Sequence, residues 1–323
     1  MTDSLHALPW QQAHWQQMTR LAISGQMSHA WLLTGPAGVG KRQFAKAFTA
    51  FMLCENKQAA ACGVCRSCQQ LVAGHHPNAM HLQRLVNEKT GKLNRDINIE
   101  QIRDLNERLA LSSHYGQAKI AVIDPADALN QNSVNALLKT IEEPPAGSYL
   151  LLISERPQAL TATLRSRCQR LRFAAPTLAE SVEWLGAGKA ADLALQQSYG
   201  APLKARELMD SGKLDRIEKW ASELRDIAAR KRDPITVAGA LTASKSSAKE
   251  DASEFLQWLM SWLTLELRSS LRSQGHYSPA AIETVMRDTL EGQRRLAGNG
   301  MPQLILEALL VNWWHLARQS KVA

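Results

Sequence analysis

Residues 30–44 read AWLLTGPAGVGKRQF. A short apolar run, AWLLT, ends at Gly35. A glycine-rich loop follows, and beyond it Phe44, Phe48 and Phe51 recur at helical spacing. Strand, loop and helix in that order turn G-x-x-x-x-G-K into a credible phosphate-binding loop. The backbone N–H groups of such a loop converge at a helix N-terminus, where they can cradle an anion. Gly35, Gly38, Gly40 and Lys41 are the candidate cradle. The next position normally carries a Ser or Thr whose hydroxyl ligates Mg²⁺. Here it is Arg42, and a guanidinium has donors but no acceptor.

Working outward, IAVID (120–124), YLLLIS (149–154) and RLRF (170–173) read as further buried parallel strands. NQNSVNALLKTIEEPP (130–145) between them reads as a helix stopped by Pro144 and Pro145. Strands alternating with helices imply an α/β layer with a parallel sheet. Asp124 closes its strand where P-loop enzymes carry an aspartate that supports Mg²⁺. Pro125 follows, and it has no side chain to act as a base. Loss of the metal ligand and of the base together should suppress hydrolysis. The cradle is mostly backbone, so the binding of ATP or ADP is left open. After Pro176 no strand-like run appears. Short helices give way near residue 213 to longer amphipathic ones, with Phe255, Trp258, Leu259, Trp262 and Leu263 on one stripe.

Cys54, Cys62, Cys65 and Cys68 fall in CENKQAAACGVCRSC. Two C-x₂-C steps with one cysteine upstream can wrap a tetrahedral ion, and zinc accepts four thiolates. C-x₂-C-x₂-C also opens iron–sulfur runs, but the completing C-P is absent here. The expectation is one structural Zn²⁺. His75 and His76 read as loop residues beside an already complete donor set.

The chain has 323 residues, 45% hydrophobic and 21% charged, with a net charge of +8. That suits a globular protein of two domains or three small ones, and either an acidic or nucleic-acid partner or simply a solvated basic surface. No apolar run is long enough to span a membrane. The opening residues, MTDSLHALPWQQAHW, do not read as a signal peptide, so a cytoplasmic protein with reduced thiols is expected.

HAWLLTGPAGVGK, the cysteine insert, NALLKTIEEPP and TLRSRCQR, in this order, resemble the AAA+ clamp-loader subunits of bacterial DNA polymerase III. The resemblance is strong over residues 5–175 and persists in layout to the C-terminus. It implies an AAA+ P-loop domain (1–175) with a zinc module at 54–68. A small helical lid (176–212) and a helical collar that oligomerises (213–323) would follow. It implies DNA replication as the setting, within a DNA-directed DNA polymerase holoenzyme, a nucleotidyltransferase complex. The partners implied are homologous gamma/tau and delta subunits in a hetero-pentamer, with the sliding clamp and primer-template DNA reached through the complex.

Arg42, Pro125 and Leu203, the last where the lid arginine of hydrolysing members belongs, point to a member that does not hydrolyse ATP itself. The alternative is an ATP-hydrolysing gamma/tau-type subunit. By the same resemblance Arg167, in the motif Ser166-Arg167-Cys168, is an arginine finger that acts in trans on a neighbour's ATP. A guanidinium fixed at a γ-phosphate stabilises the spread charge of the transition state. Cys168 reads as a packing residue.

Overall fold

The structure, a computed structural model, describes residues 5–88, 90–111, 118–244, 246–272 and 277–317. The chain folds as two compact units, 1–206 and 207–323.

The first unit runs α1 (Gln12–Ile23), β1 (Ala30–Thr34), α2 (Lys41–Leu53), α3 (Arg66–Val72), β2 (Ala79–Leu82) and α4 (Ile99–Ala110). It continues with β3 (Lys119–Ile123), α5 (Gln131–Glu142), β4 (Ser148–Ser154), α6 (Ala162–Arg167) and β5 (Gln169–Arg172). Then come α7 (Leu178–Leu185), α8 (Lys189–Gln197) and the start of α9 (Pro202–Asp210). The five strands form one parallel sheet in the order β2-β3-β4-β1-β5. Strands β1 and β3 are buried at every position, as their continuous apolar runs require. Strand β2 was not legible in the sequence. It is a four-residue edge strand, Ala-Met-His-Leu, paired only with β3 and exposed at His81.

Alternate side chains separate the two faces of the sheet. Leu32, Ala121, Ile123, Leu150 and Leu152 meet α4 and α5 on one side. Trp31, Leu33, Ile120, Val122, Leu151 and Ile153 meet α1 and α2 on the other. Trp15 of α1 stands edge-on to Phe44, Phe48 and Phe51 of α2, at centroid distances of 5.9, 6.2 and 5.7 Å. Phe44 is fully buried, and truncating such a ring to Ala costs about 3–5 kcal/mol. This packing fixes α2, and therefore the loop that starts it, against the sheet.

Side chains cap the helix starts: Asn130 accepts from Ser133 N–H, Thr161 from Leu164 N–H, and Thr177 with Glu180 forms a reciprocal capping box.

The second unit begins with the end of α9. It contains α10 (Lys213–Ala228), α11 (Pro234–Leu241), α12 (Ala248–Leu271), α13 (Pro279–Ala297) and α14 (Pro302–Leu316). Its core is aromatic: Trp220, Phe255, Trp258, Trp262 and Trp313 pack in one cluster. The Trp313 indole N–H, buried there, donates to Leu224 O at 3.0 Å. No helix among the described residues is long and apolar enough to cross a membrane.

Candidate functional site

The glycine loop leaves β1 and enters α2 as the sequence predicts, and it is clamped on every side. A Cβ on Gly35 would lie 2.1 Å from Phe173 O, so only glycine fits there. Val39 O accepts from Trp10 Nε1 and from Gln11 Nε2, each at 3.0 Å. Leu203 N–H, in α9, donates to Gly38 O at 3.1 Å. At Gly38, where φ is +78°, a Cβ would meet Lys204 Cγ at 2.7 Å. Leu203 and Lys204, the residues where a lid arginine was sought, therefore lie against the loop itself.

Lys41 is 4% exposed. Its ammonium donates to Gly35 O at 2.8 Å and to Pro36 O at 2.7 Å, turning back onto its own loop. Burial pulls its pKa below the ordinary lysine value, against the opposing pull of Glu155, Asp124 and Asp127.

Arg42 does more than leave out a metal ligand. Its Nε donates to Asp124 Oδ2, and the two form an ion pair. Asp124 is 4% exposed, so the guanidinium is its countercharge. The pair also raises the Arg42 pKa, mainly through that hydrogen bond. A cation made of protein thus stands beside the carboxylate that would support Mg²⁺. Sequence reasoning noted both residues but not their union, because they are 82 positions apart.

Asp127, which sequence reasoning missed, ties down the end of β4. It accepts from Ser154 Oγ at 2.5 Å and from the N–H groups of Glu155 and Arg156 at 3.0 and 3.1 Å. Pro125 stands between Asp124 and this turn and brings no base.

At the other end of α2, Cys54, Cys62, Cys65 and Cys68 converge, with their four sulfurs within 4.8 Å of one another. Tetrahedral ligation at Zn–S distances of about 2.3 Å sets the sulfurs about 3.8 Å apart. Cys54 and Cys65 Sγ are 3.9 Å apart. Backbone N–H groups of Cys62, Cys65 and Cys68 point at the sulfurs of Cys54, Cys62 and Cys65, at 3.3, 3.4 and 3.5 Å. The Cys62 thiol is pulled down to about 6, first by the backbone N–H of Val64, whereas burial pushes the Cys54 and Cys68 thiols up. These donors fit a metal ion. His76 lies in a loop, as read, but is buried there, with Nε2 3.0 Å from Ser67 Oγ and Nδ1 accepting from Asn78 N–H at 3.1 Å. Both ring nitrogens are thereby engaged away from the sulfurs. His75 is exposed.

Arg167 ends α6 at the surface. Its Nε donates to Glu142 Oε1 at 2.6 Å and its Nη1 to Thr163 O at 3.3 Å. Ser166 is exposed and bonds to Thr163 O. Cys168 is buried in the core, and burial pushes its thiol up to about 11. The structure gathers Lys41, Arg42 and Asp124 at one point; the cysteines form a separate cluster.

The family model described as DNA polymerase III, delta subunit, matches residues 10–177. The chain is similar to DNA polymerase III subunit delta' of Pseudomonas aeruginosa, 34% identical over 94% of this chain and 96% of that one. It is also similar to DNA polymerase III subunit tau of Salmonella typhimurium at 34% identity, but over only 47% of this chain and 22% of tau. In fold it is like a gamma subunit-related protein from Thermotoga maritima, with a TM-score of 0.55 and 18% identity over 95% of this chain and 100% of that one.

Proposed function

This chain belongs to the family of DNA polymerase III delta' subunits, and on that premise we propose that it is a stator of the clamp loader rather than one of its motors. The tau likeness is partial where the delta' likeness runs the length of both chains, which favours this reading over a gamma/tau-type ATPase. The observation that carries the stator role is the Arg42–Asp124 pair. It puts a fixed guanidinium where hydrolysis needs a hydroxyl, a divalent cation and a free carboxylate. With Pro125 in the base position, the loop keeps its shape and loses its chemistry.

Arg167 keeps the one feature such a chain can lend. It stands at the end of a short helix, on the surface. In the assembled loader it would leave Glu142 and meet the γ-phosphate bound by the next subunit. Residues 176–212 act as a lid and 213–323 as the oligomerising collar. The neighbours are gamma/tau and delta subunits, and the clamp and primed DNA are reached through the complex in the cytoplasm. Cys54, Cys62, Cys65 and Cys68 would hold Zn²⁺, which supplies cross-linking and no catalysis.

Steady-state Mg-ATP hydrolysis tests this. The isolated chain should be silent. When it is mixed with its ATPase partners, Arg167→Ala should cut their rate by about 10³ or more, while Lys41→Ala leaves it unchanged. Hydrolysis by the isolated chain that Lys41→Ala abolishes would make it a motor.

A further inference from the structure

The α2 side of the sheet is incompletely covered at its β2 edge. A cavity of about 570 Å³ lies there, lined by α2, the end of α3, β2, β3 and Arg108 of α4. None of residues 35–41 lines it, so it is separate from the phosphate cradle. Its volume falls in the range of small-molecule sites, about 300–1,000 Å³.

The lining is one-sided in charge. Arg42, Lys46 and Arg108 contribute three cations, and among the described residues no carboxylate lines the cavity. Asp124 pairs with Arg42, and the carboxylate paired with Arg108, on Asp104, is 4.0 Å away. Arg42 and Lys46 are one helical turn apart on the same face of α2. His81 adds an imidazole to the lining. Leu71, Val72 and Val122 also line the cavity. A dianion with an apolar body matches that combination. A phosphate monoester brings between one and two negative charges and several strong acceptor oxygens.

We propose that this cavity binds a small organic phosphate, its phosphoryl group among Arg42, Lys46 and Arg108 and its organic body against Leu71, Val72 and Val122. The test uses AMP without divalent metal as the probe, titrated into the full chain by calorimetry. Adenosine, inorganic phosphate and a short single-stranded oligonucleotide serve as comparators. AMP should bind saturably. Adenosine and inorganic phosphate should each bind at least about tenfold more weakly, since each lacks half of the recognition. Lys46→Glu and Arg108→Glu, both at exposed positions, should each weaken AMP by about tenfold, with circular dichroism unchanged. Lys41→Ala should change it less than twofold. The proposal is overturned if AMP fails to saturate at millimolar concentration, or if Lys41→Ala removes binding, which would move the site to the glycine loop. It is equally overturned if inorganic phosphate binds as tightly as AMP, or if the oligonucleotide displaces AMP and binds more tightly. That last result would make the surface a contact for a nucleic-acid backbone.

Discussion

The two ends of α2 have fared differently. At its C-terminal end, Cys54 begins a four-cysteine cluster that keeps every donor. At its N-terminal end, the loop keeps its glycines and lysine but has turned its polar groups inward: Lys41 onto Gly35 and Pro36, Arg42 onto Asp124. The difference lies in what each site needs in order to persist. A metal cluster depends on its side chains, and losing one thiolate breaks the shell. A glycine loop is held by backbone geometry and by packing from Phe173, Trp10, Gln11 and Leu203. It can therefore survive as architecture after its chemistry has gone.

The largest test of this contrast is at the cysteine end. If the cluster holds one ion per chain, Cys68→Ser should lower the metal content to near zero and Tm by roughly 5–10 °C, because the binding free energy of a structural metal ion is also folding free energy. A variant that keeps its ion and its Tm would show that the cluster is not a metal site.

At the loop end, Arg42→Ser removes the countercharge of a buried carboxylate. Arg42 is 73% exposed, so the loss is moderated by solvent, about 1–2 kcal/mol in denaturant unfolding. The same change restores a hydroxyl and frees Asp124. Mg-ADP should then bind about tenfold more tightly than to the natural chain, while Mg-ATP is still not hydrolysed, because Pro125 remains. Hydrolysis by this variant would mean that Arg42 alone had silenced the loop.

Lys41→Met should have the smallest effect, under about 1 kcal/mol, because two hydrogen bonds are exchanged for relief of a buried charge. The sign follows from the lowered pKa. The folded chain holds the Lys41 proton less tightly than the unfolded chain, so the charge costs stability below the folded pKa. That cost fades as pH rises from the lowered folded pKa to the ordinary value of 10.5, and is gone above it. Lys41→Met should thus be level with or slightly more stable than the natural chain at pH 7, and lose any advantage above pH 10.5. A large loss at pH 7 would make Lys41 a structural clamp.

Much of this was legible in advance, because contiguous residues encode it. AWLLT, IAVID and YLLLIS lie within one residue of β1, β3 and β4, since an apolar run bounded by glycine or proline has few other places to go. The absent hydroxyl at position 42 and the absent base at 125 needed only the motif. Strand β2 was missed because a four-residue edge strand containing a histidine carries no such run.

The sequence by itself determined the strand–loop–helix unit, the cysteine donor set and the loss of hydrolytic parts, for each rests on residue type at short spacing. Only the tertiary structure decided what those residues do instead. The sheet order β2-β3-β4-β1-β5 brings Asp124 to Arg42, Asp127 to Ser154 and His81 into a cavity with Lys46 and Arg108. Pairings between residues tens of positions apart depend on which strands are neighbours, and no local pattern in the chain records that.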